Sequence, residues 1–256
     1  MTRHYVPRAP LSDFVELFWA YEAYGEGRRR ERVLPTGTYE LVFDLSAGAG
    51  APFVCGAHSE AFIIDVAARP TLIGVHFKPG GAFPFLDVPA TELRNARVVG
   101  DAVWGRFARE LYERVVAAPT SRARFEVLER CLLERLARAR PVHPVVTYAV
   151  REISATPAQA MAAVTARVGL SARRFIQVFA DEVGLTPKLF ARVRRFHAVL
   201  GGVWGARDVD WADVAATYGY YDQAHLIHDF REFTGLTPGG YVRAERPQPG
   251  HVALPD

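Results

Sequence analysis

Cysteine is nearly absent: Cys55 and Cys131 are the only two in 256 residues, too few and too widely spaced for a disulfide framework or a zinc finger. Lysine is scarcer than arginine, since Lys78 and Lys188 are the only lysines among 31 basic side chains. No stretch approaches the roughly 18 uninterrupted apolar residues of a membrane span, and the opening MTRHYVPRAP has no apolar signal-peptide core. These absences lead us to expect a cytoplasmic protein with free thiols and no membrane partner. Catalytic signatures are missing too. There is no nucleophile elbow, no phosphate-binding glycine loop, and no basic or metal-binding neighbourhood that would lower the pKa of Cys55. An enzyme in the N-terminal part is therefore disfavoured. No cofactor is expected, and no metal, because His58, His76 and Cys55 lack tight ligand spacing. A net charge of +3 gives only weak support for a polyanionic partner.

What is present is an ordinary globular composition, 50% apolar and 23% charged, in a chain long enough for one or two domains. From Phe14 to Phe77 short β-branched and aromatic runs alternate with turn residues: FVELFWAYEAY, RERVL, YELVFDL, FIIDV and TLIGVHF. About six such strands predict a small antiparallel sandwich or barrel, solid inside or holding one small ligand. After about Gly100 helix formers take over. Trp104 to Val116 is one candidate helix. Ser121 to Arg138 is another, with Phe125, Leu128, Leu132, Leu133 and Leu136 on one face. That face fits either the chain's own β domain or the matching helix of a second subunit. Pro141 and Pro144 mark a helix-breaking connection. The expected plan is a β-rich domain at 1–98, a helical segment open to dimerisation at 99–140, a second domain at 141–245 and a flexible tail at 246–256.

A duplication carries the functional argument. VTARVGLSARRFIQVFADEVGLTP (164–187) and VAATYGYYDQAHLIHDFREFTGLTP (214–238) share Gly-Leu-Thr-Pro 51 positions apart, while their first residues lie 50 apart. The second copy thus has one extra residue, placed in its turn. Each copy reads as helix, glycine turn, helix. In the first, Thr156-Pro157 opens a helix, Gly169 turns, and Ser171 caps a helix burying Phe175, Val178, Phe179 and Val183. In the second, Asp210 opens, Gly219 turns, and Asp222 caps a helix burying Leu226, Phe230 and Phe233. Two helices about a glycine turn form a helix-turn-helix, whose second helix suits a DNA major groove. Between the copies, Pro187 to Val203 predicts a helix roughly 25 Å long at about 1.5 Å per residue. Such a strut would hold the two reading helices about one DNA turn, roughly 34 Å, apart.

The segment from about His143 to Glu245 resembles the DNA-binding domain of AraC/XylS-type regulators. The resemblance is carried by Gly219-Tyr-Tyr-Asp-Gln-Ala-His-Leu-Ile-His-Asp-Phe230 and Gly235-Leu-Thr-Pro-Gly-Gly-Tyr241-Val-Arg243. Leu226 departs from it, standing where an aromatic is usual. The fold class expected is α+β, with a barrel-like antiparallel N-terminal domain and following helices, then an all-α domain of two helix-turn-helix motifs joined by a linker helix.

On the first recognition helix the solvent face carries Arg173, Arg174, Ile176 and Gln177. Arginine can fork onto guanine, glutamine onto adenine, and isoleucine can meet a thymine methyl. The resemblance places base reading on Arg173, Ile176 and Gln177, and in the second copy on Gln223, Ala224 and His228. Ser171, Arg174, Arg192, Arg194 and Arg195 are the candidate phosphate contacts. Residues 167–195 hold seven basic and two acidic side chains, against two and six in 207–232. The first copy is accordingly expected to dominate phosphate affinity.

The N-terminal part also resembles a recurrent companion of such domains, through Tyr5-Val-Pro-Arg-Ala-Pro-Leu11, Phe18-Trp19, Val33-Leu-Pro-Thr-Gly-Thr-Tyr-Glu-Leu-Val-Phe43 and Gly74-Val-His-Phe-Lys-Pro-Gly-Gly81. In the family this part often binds a small effector. Trp19, Tyr39, Glu40, His58, His76 and Phe77 are the candidate pocket residues, each of them also readable as plain structure. Double-stranded DNA is the expected partner, with a small-molecule effector, a homodimer and RNA polymerase as further candidates. The competing reading is an effector-independent regulator whose β domain serves dimerisation or polymerase contact.

Overall fold

The computed structural model describes residues 2–22, 29–46, 48, 50–66, 71–158, 161–206, 208–246 and 250–254. Its N-terminal half holds strands β1 (Thr2–Tyr5), β2 (Val15–Glu22), β3 (Arg29–Val33), β4 (Glu40–Asp44), β5 (Phe53–Cys55), β6 (Phe62–Val66), β7 (Thr71–Phe77) and β8 (Arg97–Val99). Helices α1 (Asp101–Trp104), α2 (Arg106–Ala117) and α3 (Ser121–Leu136) follow. The C-terminal half consists of α4 (Pro144–Ala155), α5 (Met161–Arg167), α6 (Ala172–Val183), α7 (Pro187–Gly202), α8 (Trp211–Thr217), α9 (Gln223–Thr234) and α10 (Pro238–Arg243), then a last strand, β9 (His251–Leu254).

The strands form two antiparallel sheets rather than a closed barrel, one ordered β1-β2-β7-β4-β5-β8 and the other β6-β3-β9. Strand alternation gives the large sheet two unlike faces. Phe18, Ala20, Leu41, Phe43, Ile73, Val75 and Phe77 are all buried on one, where Phe18 stacks on Phe125 and Phe43 on Tyr112. Helices α2 and α3 are thus the lid of this core. The apolar face of α3 is taken up by its own domain, where Arg135 also donates to the Phe85 carbonyl at 2.9 Å and Tyr5 to Glu129 at 3.0 Å. The other face of the sheet, with Leu17, Trp19, Val42, Leu72 and His76, is only half-buried.

The chain's end departs from expectation. Instead of a flexible tail, residues 251–254 pair with β3 in the register Glu31↔Ala253 and Arg32↔Val252, and Val252 is buried. A four-residue strand has too short a pattern to announce itself, and its partner lies far away in sequence. A second correction concerns Thr156. It closes α4, its N–H donating to the Glu152 carbonyl, and Pro157-Ala158 form a turn. The expected helix from Ala158 has Met161–Arg167 as its described part, positions 159 and 160 lying outside the described residues.

The Gly-Leu-Thr-Pro repeat has a local explanation. Gly184 and Gly235 adopt φ of +88° and +70° and end α6 and α9, where a side chain would be strained. Thr186 and Thr237 then accept from the N–H groups of Leu189 and Gly240, capping α7 and α10, each of which starts with a proline that needs no hydrogen bond there. One tetrapeptide stops one helix and starts the next, twice.

Candidate nucleic-acid interface

Each copy delivers a capped, half-exposed helix. Ser171 Oγ accepts from Arg174 N–H at 3.3 Å and opens α6; Asp222 Oδ1 accepts from His225 N–H at 2.7 Å and opens α9. The turns before them use Gly169 and Gly219 at φ +66° and +70°. Helix α6 buries Phe175, Val178, Phe179 and Val183, and α9 buries Leu226, Phe230 and Phe233. Inward anchoring of this kind leaves the other face outward. Arg173, Arg174 and Gln177 are exposed on α6, as are Gln223, Ala224 and His228 on α9. Ile176 is 46% exposed, an aliphatic side chain with no core to enter.

Positive charge around these helices is arranged by α7. Arg192 and Arg195, three residues apart, face α9; Arg192 reaches Asp229 at 2.7 Å and Glu232 at 2.6 Å, and Arg195 reaches Asp229 at 3.4 Å. The Glu232 hydrogen bond, ahead of that to Asp229, holds Arg192 firmly protonated, and the same bond to Arg192 keeps the Glu232 carboxyl below its usual range. Arg192, Arg195 and Asp229, with Lys188, His225, His228, Met161 and Pro157, line a cleft of about 490 Å³ between α5, α7 and α9. Arg194 stands apart from the other candidate phosphate contacts. It turns to the N-terminal domain, where its guanidinium donates to the Thr36 carbonyl at 3.4 Å and burial lowers its pKa. Two residues along a helix is a rotation of about 200°, so a neighbour of both Arg192 and Arg195 points elsewhere. Ser171 keeps its hydroxyl proton free for an acceptor, since the cap uses only its lone pair.

The six candidate pocket residues do not converge. His76 Nδ1 lies 2.8 Å from Glu40 Oε1, with Glu16 3.7 Å from its other nitrogen. Burial opposes the charged imidazole, but the Glu40 hydrogen bond and the two carboxylates outweigh it and raise its pKa. Trp19 is on the same half-buried face, its indole lying across Gly74, where any Cβ would collide with the ring. Tyr39 and Phe77 instead belong to the core, Tyr39 donating to the Ala90 carbonyl at 2.8 Å and Phe77 packing on Phe85. They alternate away from Glu40 and His76 because successive strand residues face opposite ways. His58 packs on Phe62 elsewhere, with its pKa lowered by burial.

Residues 164–244 match the helix-turn-helix domain family. The C-terminal domain is an AraC-type helix-turn-helix domain. Residues 3–99 match a domain of unknown function, DUF6597. No curated protein matches the chain. Among solved structures, it is similar to ToxT from Vibrio cholerae O395 at 8% identity and a TM-score of 0.44, over 87% of this chain and 95% of that one. Unsaturated fatty acid-bound ToxT from Vibrio cholerae strain SCE256 gives 8% and 0.42, over 94% of each chain. At these values the likeness carries neither ligand nor operator over to this chain.

The residue that sequence reasoning missed is Asp229. It is fully buried on the apolar stripe formed by Leu226, Phe230 and Phe233. A charge at a core position of an amphipathic helix was the available signal, because such a group must find partners.

Proposed function

We propose that this chain is a DNA-binding regulator that acts in the cytoplasm and reads two adjacent major-groove segments of one DNA face, with α6 and α9 as the reading helices. Arg173, Ile176 and Gln177 read bases in the first segment; Gln223, Ala224 and His228 read the second. Ser171 and Arg174 contact phosphates, and Lys188 joins them, while Arg192 and Arg195, the other expected contacts, are engaged by Asp229 and Glu232. The observation carrying this reading is the pair of capped helices that pack aromatic rings against α7, Phe179 on Phe190 and Phe230 on Phe196, and leave polar faces outward. Selection from randomised duplex DNA tests it. The expected product is two short half-sites about 10 base pairs apart. No enriched motif at moderate salt, with the protein folded, would overturn it.

A small molecule bound by the N-terminal domain adjusts this activity. Trp19, Glu40 and His76 support that reading, since a half-buried face mixing an indole with a carboxylate–imidazole pair suits a ligand better than a solid core does. Thermal-shift screening followed by DNA binding checks it, and an unchanged affinity across a broad metabolite set would leave the effector-independent regulator standing.

A further inference from the structure

Val178 and Asp229 hold the same position in the two copies, 51 residues apart. Both are buried, at 7% and 0% exposure, yet one is an aliphatic side chain and the other a carboxylate. In the second copy α7 answers the carboxylate with two guanidiniums. Arg192 donates to Asp229 Oδ1 at 2.7 Å and grips Glu232 at 2.6 and 3.1 Å; Arg195 donates to Oδ2 at 3.4 Å and to the Gly219 carbonyl at 3.3 Å. Arg195 also lies over the Tyr220 ring at 4.2 Å.

Stability does not explain this arrangement, because withdrawing a carboxylate and two arginines from water offsets much of their attraction, and a packed aliphatic side chain does as well. Direction does. The apolar contacts between α7 and α9, Phe196 on Phe230 and on Phe233 with ring centroids 5.1 Å apart in each pair, attract without fixing rotation or sliding. A charged hydrogen-bond network tolerates neither. It also reaches the reading face, since Glu232 lies 3.3 Å from His228.

We propose that Asp229 is a positioning residue that locks α9 on the linker helix and so sets which half-site spacing the protein accepts. The inference rests on the two-helix reading above. One base pair of added spacing moves a half-site about 3.4 Å and turns it about 35°, a displacement that a rigid α7–α9 joint cannot follow and a loosened one can.

The experiment measures the full-length protein on duplexes carrying the selected half-sites at the optimal spacing and at one base pair more or less. Wild type, Asp229→Val, which copies position 178, and the near-isosteric Asp229→Asn are compared, with melting temperature recorded for each. Wild type should prefer its optimum by about tenfold or more, and the variants by about threefold or less, while Arg173→Ala lowers affinity at all spacings and keeps the preference. Should Asp229→Val fail to fold, Asp229→Asn decides. Variants that keep the wild-type spacing preference, whether their affinity falls by one factor at every spacing or stays unchanged, overturn the proposal. If wild type itself selects no DNA motif, it is the two-helix reading that fails.

Discussion

Glu31 and His251 meet at 2.8 Å across 220 positions of sequence, the carboxylate 2% exposed. Strand β9 thereby ties the end of the helical half into the small sheet of the N-terminal half. Around it, Arg32 lies near Gly235, and Gly37 packs against Phe190 and Val193 of α7. The two halves share an interface.

Val252→Asp should therefore destabilise the protein by about 3 kcal/mol, the cost of an unpaired charge at a buried site. Urea unfolding should show a lower midpoint, and limited proteolysis should be faster than in wild type. An unchanged midpoint would mean that β9 contributes nothing.

Two glycines with positive φ should respond differently to alanine. At Gly169, φ is +66° with open space around a Cβ, so only backbone strain of about 1 kcal/mol is expected. At Gly184, φ is +88° and a Cβ would stand 2.5 Å from Tyr39 Oη and 3.2 Å from the Ala90 carbonyl. Gly184→Ala should cost about 3 kcal/mol or more. Equal losses in thermal melts would contradict this account of the interface.

His197 gives a pH dependence with a definite sign. Burial, with Arg194 and His76 nearby, lowers its pKa to about 4. The unfolded imidazole binds its proton near pH 6.5, so the unfolded state holds more protons between these values. The contribution is fully present above pH 6.5 and is lost as pH falls towards 4. His197→Gln should flatten the decline in melting temperature over that window; a decline as steep as in wild type would assign it to other groups.

Arg173 and Arg194 should separate cleanly in DNA binding. Arg173→Ala should lose about 1 to 3 kcal/mol and relax one base position. Arg194→Ala should leave the slope of log affinity against log salt unchanged, because its guanidinium faces Thr36 rather than the duplex. A slope reduced by about one would return Arg194 to the phosphate contacts.

Much of the helical half could be read from the chain because its signals are local. Ser171, Asp210 and Asp222 cap where they stand, and Gly-Leu-Thr-Pro punctuates both copies. Periodicity alone separates the buried Phe175 and Phe179 from the outward Arg173 and Gln177. The N-terminal sheets were less legible. Tyr39 and Phe77 look like pocket residues in sequence, but which face of a strand meets the core depends on what packs there.

The sequence by itself determined the duplication, which is a match between two stretches of the chain, and also the caps, the glycine turns and the outward faces of α6 and α9, each of which follows from residues within a few positions of one another. Only the tertiary structure decided that β9 returns to β3, that Arg194 turns to the N-terminal domain while Arg192 and Arg195 turn to α9, and that Asp229 lies beneath two arginines. Those facts depend on pairing segments distant in the chain, and on the requirement that every charge taken out of water meet its opposite.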